Sequence, residues 1–139
     1  MGRTLIALTL LAFAMVIDGC ASVQTVASAP ITEGVSTVYA APYAVVSAAA
    51  VESIEGLHLV VEGVDETPRR FQIRFSKPVS ALSWGEVGVV NVVRADDAHT
   101  RVFVNTEKRD QMQMTGTSEW QFARHIFASI SGSLQRAHP

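Results

Sequence analysis

Residues Arg70-Phe71-Gln72-Ile73-Arg74-Phe75 alternate polar and apolar without a fault. A period of two sends successive side chains to opposite faces of a strand. Phe71, Ile73 and Phe75 are therefore expected in a core, with Arg70, Gln72 and Arg74 facing away from it. That demands a sheet with one buried and one polar face, and Lys77-Pro78 ends the strand. Before it, Leu57 to Glu62 reads as a short aliphatic strand, and Gly63 to Pro68 as the turn between the two. After it, Glu86 to Arg94 is dominated by valine. Thr100 to Asn105 alternates again, with Val102 and Val104 opposed to Arg101 and Phe103. The polar run Ala95-Asp96-Asp97-Ala98-His99 joins these last two as a hairpin.

Helical periods flank this block. Pro42 suits a first helical turn, where its missing N–H costs nothing. Tyr43, Val46, Ala50 and Ile54 recur at helical spacing and Gly56 is a natural stop, so the first helix is expected over Pro42 to Glu55. Ser118 and Gln121 have capping-box spacing at the start of a last helix. Its apolar stripe is Ala123, Ile126, Phe127, Ile130 and Leu134, with Gly132 inside its final turns. Successive strands joined by short turns pair antiparallel, and the polar sheet face leaves the other for both helices. The expected fold is a two-layer α+β sandwich: an antiparallel sheet of about four or five strands with two helices on one face.

The N-terminus carries a different message. Arg3 precedes Leu5 to Ile17, an uncharged run too short to span a bilayer but of the length of an export signal. Ile17-Asp18-Gly19-Cys20 follows and resembles the bacterial lipobox, from which Asp18 departs. The expected organisation is a lipoprotein signal peptide over 1–19, a lipidated Cys20 with a flexible tether over 20–37, and a single domain over 38–139. The tether reading rests on small polar residues with Pro30 and Gly34 and no sustained period. The competing readings are an ordinary cleaved signal and an uncleaved anchor. Ala21 after the cysteine implies, by resemblance to such lipoproteins, the outer membrane and its periplasmic face.

The 139 residues fit one domain, and Cys20 is the single cysteine, which excludes an internal disulfide. A formal net charge of -2 gives no broad electrostatic case for nucleic acid or an anionic membrane as a partner. From Tyr39 to Leu134 the chain resembles a group of small, uncharacterised lipoproteins of Gram-negative bacteria with a domain of unknown function. The resemblance lies in Tyr39 with the Tyr43/Val46/Ala50 helix, and in Ser83-Trp84-Gly85-Glu86 entering a valine-rich strand. It continues through Thr100-Arg101-Val102-Phe103-Val104 and the closing amphipathic helix. It implies the α+β fold and an envelope location, and it carries no catalytic residue.

There is no Gly-x-Ser-x-Gly, and Cys20 is committed to lipid. His58 on a strand, His99 in a turn, His125 on a helix and His138 in the tail share no metal-ligand spacing. The acid pairs Asp65-Glu66 and Asp96-Asp97 are expected in turns, where they solvate the chain. No catalytic residue, metal site or cofactor is therefore assigned, and the chain is read as not an enzyme. Arg70 and Arg74 share a strand face and are the candidate binding residues for an anionic envelope polymer or protein. Met112, Met114 and Trp120 around the loop before the last helix suit either a protein-binding edge or core packing. The function expected is a lipid-anchored envelope protein with a non-catalytic binding or structural domain. The alternative is a small periplasmic hydrolase or ligand carrier, whose mark would be a cavity lined by His58 or His125 and an acid.

Overall fold

The computed structural model describes residues 22–79, 85–108 and 118–137. Among them α1 is Val23–Ala27, β1 Val35–Tyr39, α2 Tyr43–Gly56, β2 Val60–Glu66, β3 Arg70–Lys77, β4 Glu86–Arg94, β5 Thr100–Lys108 and α3 Glu119–Ala137. The strands form one antiparallel sheet in the order β1-β5-β4-β3-β2. α2 carries the chain from one sheet edge to the other, and β2 to β5 then meander back to meet β1. The fold is α+β, and α2 and α3 share one face of the sheet.

Local chemistry explains these elements. Pro42 caps α2 in an extended conformation, and its carbonyl accepts from the Val45 and Val46 amides at 3.0 and 3.1 Å. At the start of α3 the Ser118 and Gln121 side chains cap each other's backbone amides, at 3.4 and 3.3 Å. Val46, Ala49, Ala50 and Ile54 of α2 and Phe122, Ala123, Ile126 and Ile130 of α3 pack on the sheet's inward residues. Those include Ile73, Phe75, Val90, Val92, Val102 and Val104, each fully buried. Ala49 and Ala50 keep α2 close to the strands, because a small side chain lets backbones approach. Phe75 and Phe122 stack nearly parallel, with centroids 5.7 Å apart. Gly88 makes room for that stack: a Cβ there would lie 2.5 Å from Phe75 Cζ and 2.9 Å from the Asn105 carbonyl oxygen.

The segment expected as a tether over 20–37 carries two elements among its described residues. β1 begins at Val35, not near Val38, and pairs with β5 from Val35↔Val104 to Tyr39↔Thr100. Val35, Thr37 and Tyr39 alternate inward along this edge strand. α1 starts at Ser22, whose side chain accepts from the Thr25 amide at 3.2 Å. It lies on the sheet face away from α2 and α3, where Val26, Val87 and Val89 form a second buried cluster with Val23 and Ala27 against it. Gln72 does face away from the main core, yet it is buried under α1. Its amide donates to Asn91 Oδ1 at 2.9 Å and reaches the Ala27 carbonyl at 3.4 Å.

β2 departs from expectation at both ends. It starts at Val60 and runs through Gly63 to Glu66, where a turn was expected. A register shift between Val61 and Gly63 bulges the strand, and the Arg74 guanidinium occupies the space a Cβ on Gly63 would need. Asp65 and Glu66 are therefore strand residues, not turn residues. α3 continues past Gly132 to Ala137.

Candidate functional site

The two candidate arginines sit on one face of β3, with buried Gln72 between them. Arg74 is already engaged, because Asp65 on the neighbouring strand holds its guanidinium in an ion pair. Arg70 is half-buried and pairs across the sheet with Val93. The three side chains thus do not form an open row, since α1 and Asp65 occupy two of them. Asp96 behaves as a turn acid: one carboxylate oxygen accepts from the Ala98 and His99 amides at 2.8 and 2.7 Å. The Ala98 amide and the His99 side chain hold that carboxyl below the usual carboxylate range. Cys20, Trp84, Met112, Met114 and His138 lie outside the described residues.

His58 is not on a strand. It follows the C-terminal turn of α2 with φ at +58°, in the left-handed region that only a few non-glycine residues adopt. This turn redirects the chain between Leu57 and buried Leu59 into β2. The consequence is a cavity of about 350 Å³ at one end of the sandwich. Leu57, His58 and Leu59 line it from the α2–β2 junction, Lys77 and Pro78 from the end of β3, and Phe122 and His125 from the first turns of α3. The lining is mainly apolar, with two imidazoles and one ammonium among it.

Lys77 links the cavity to the sheet. Its ammonium lies 5.9 Å from the centre of the Phe122 ring and 3.9 Å from Glu86 Oε2 on β4. Glu86 is 2% exposed, and neither carboxylate oxygen has a hydrogen-bond partner. A buried carboxylate with a cation beside it and no donors is a costly arrangement, tolerable while the lysine stays in place. Among the described residues, Glu86 does not line the cavity, and neither does any other carboxylate, hydroxyl or thiol. A histidine–acid pair needs a carboxylate within hydrogen-bond reach of His58 or His125, and an amine or imidazole nucleophile needs a group that activates it. What this lining offers is apolar contact with a few polar handles, the pattern of a binding pocket.

A second cavity, of about 400 Å³, lies between α2 and α3 over Ala44, Val45, Ala48, Ala49, Ser133, Leu134 and Ala137. Glu52 at its rim accepts from Arg136 at 2.9 Å. Among the described residues no cluster of three or more histidine, cysteine, aspartate or glutamate side chains is placed to hold a metal. None of the helices described is long and apolar enough to cross a membrane. Sequence reasoning named His58 and His125 singly and missed that Lys77 and Phe122 join them; only the fold brings the three segments together. Compared with known proteins, the chain matches no family model and no curated sequence.

Proposed function

We propose that this chain is a lipid-anchored envelope protein, held through Cys20 at the periplasmic face of the outer membrane, whose domain is a non-catalytic binding module. The single observation that carries the binding half is the end cavity lined by His58, Lys77, Phe122 and His125. Its volume falls in the range of small-molecule sites, and its mainly apolar described lining, with a few polar handles, suits contact and orientation. The anchoring half rests on the uncharged run that ends at Cys20. Of the two alternatives, the mainly apolar lining of the cavity favours a ligand carrier.

One experiment addresses both halves. Full-length protein, wild type or Cys20→Ser, is expressed in a Gram-negative host fed a fatty-acid probe, then purified and titrated with an apolar fluorescent dye. Wild type should carry the lipid label and Cys20→Ser should not; equal labelling refutes the anchor. Dye should bind both and be lost on His125→Trp, which fills the cavity from α3. Undiminished dye binding in a folded His125→Trp protein removes the cavity as the site.

A further inference from the structure

We propose that the cavity end of the sandwich is the surface that rests on the lipid bilayer, with the side chains of Val60, Val79 and Trp120 entering the interfacial layer. This goes beyond the binding module and rests, for its anchor, on the lipidation of Cys20.

The first argument is where the chain leaves the domain. Cys20 precedes Val23, the first residue of α1, by three positions, a reach of at most about 11 Å. α1 is not a free spacer, because Val26 is buried on Val87 and Val89. The carbonyl of Ala27, its last residue, points to the Gln72–Asn91 pair, further along the strands. The first residue of α1, Val23, packs against the cluster of Val26, Val87 and Val89, and Val87 is one residue from the start of β4. Lys77 pairs with Glu86 there and Val60 with Ser76, so this is also the end where β2 begins and β3 stops. A lipidated Cys20 would hold that end against the bilayer.

The second argument is what the same end displays. Val60 is 47% exposed, Val79 57% and Trp120 55%, the last in the first turn of α3 beside Phe122. Each follows or precedes by one or two residues a cavity residue, Leu59, Pro78 or Phe122, whereas the exposed Val64 lies in mid-sheet opposite Ile73 and Val38 toward the far end opposite Arg101. The Arg124 guanidinium lies 4.6 Å from the centre of the Trp120 ring. An indole beside a guanidinium suits the headgroup layer, where the ring is buried and the cation stays in water. Acids are also present at this end, with Glu62 and Glu119 exposed. The contact is thus apolar, and the occupant is the lipid surface itself, not a particular anionic headgroup.

The opposite end is the control. The turn over 95–99 lies a full strand length away, about 30 Å for the nine residues of β4. Two single-tryptophan versions of the full-length chain are expressed so that Cys20 can be processed, then reconstituted in phosphatidylethanolamine–phosphatidylglycerol vesicles containing bromine-labelled acyl chains. Trp84→Phe keeps Trp120 as the sole tryptophan, and Trp84→Phe with Trp120→Phe and His99→Trp moves it to the far turn. The expected result is about twofold quenching from Trp120 and none from the far turn, as for side chains seated at the acyl boundary. Equal quenching from both, quenching from the far turn alone, or none from either overturns the proposal. Wild-type protein gives a second measurement that removes no tryptophan. Peptides around 57–60, 77–79 and 119–125 should lose deuterium uptake on vesicles while 94–100 does not, and the reverse pattern overturns it equally. The mass of the Cys20 peptide is read in parallel. An unmodified Cys20 with Trp120 still quenched removes the anchor and keeps the docking end; a lipidated Cys20 without quenching does the opposite.

Discussion

The two faces of the sheet are stabilised in different ways. On one, α2 and α3 bury a continuous layer around Ile73, Phe75, Val90 and Val104, and the aromatic stack of Phe75 on Phe122 closes it. On the other, the five residues of α1 cover Val87 and Val89 with one fully buried side chain, Val26, beside the Gln72–Asn91 hydrogen bond. Hydrophobic stabilisation scales with the apolar area removed from water, so the first face supplies most of it. The second face teaches that a helix too short to persist alone can be held by its packing. It also accounts for a buried glutamine on a strand face that reads as solvated.

This contrast can be broken in graded steps. Ile73→Asp puts a carboxylate into the larger core with no partner, at a cost of about 4 kcal/mol or more, and should abolish the folded state. Its thermal melt should show no cooperative transition; a wild-type melt would mean the facing of β3 is wrong. Gly88→Ala attacks the same face by overpacking, because the added Cβ meets a ring on one side and a backbone carbonyl on the other. It should cost about 3 kcal/mol in chemical denaturation and leave the fold intact. Val26→Ala removes methyl groups from the smaller face and should cost about 2 kcal/mol. Its specific mark is protease cleavage before Val35, with the rest of the domain resisting; uniform resistance would show that α1 does not depend on Val26.

The smallest effect is a pH dependence on the larger face. The Tyr39 hydroxyl donates to the Phe127 carbonyl at 3.0 Å, and burial pushes its pKa up to about 12. The unfolded chain releases that proton near pH 10 and the folded one only near 12, so between them the unfolded state binds fewer protons. The contribution is complete below pH 10 and is lost as pH rises through 12. Melting temperature should therefore fall across that window, and less steeply in Tyr39→Phe. Burial raises Tyr43 as well, so a residual slope in the variant is expected. An unchanged slope in Tyr39→Phe would remove Tyr39 as the cause.

Legibility followed the strength of local pattern. The alternation through Phe71, Ile73 and Phe75, the Pro42 start of α2 and the Ser118–Gln121 cap are each complete within a few residues, and each stands in the structure. α1 and β1 were missed because Val23, Val26 and Ala27, and then Val35, Thr37 and Tyr39, are too few to outweigh the small polar residues around them. Gly63-Val64-Asp65-Glu66 has turn chemistry, but the bulge takes the glycine and Arg74 takes the aspartate, so the strand runs on. The cavity was legible only in parts. Its lining comes from three segments far apart in sequence, and His58, Lys77 and Phe122 each have an ordinary local role. Even the left-handed turn at His58 lacks the glycine or asparagine that usually announces one.

The packing of α1 has a consequence for timing. Its contacts, Val87 and Val89, lie about sixty residues further along the chain, and a contact cannot form before both of its partners exist in the same compartment. On the proposed lipoprotein reading, a chain exported N-terminus first would present Cys20 before β4 is there to receive α1. Processing would then precede the docking of Val26 on Val87 and Val89.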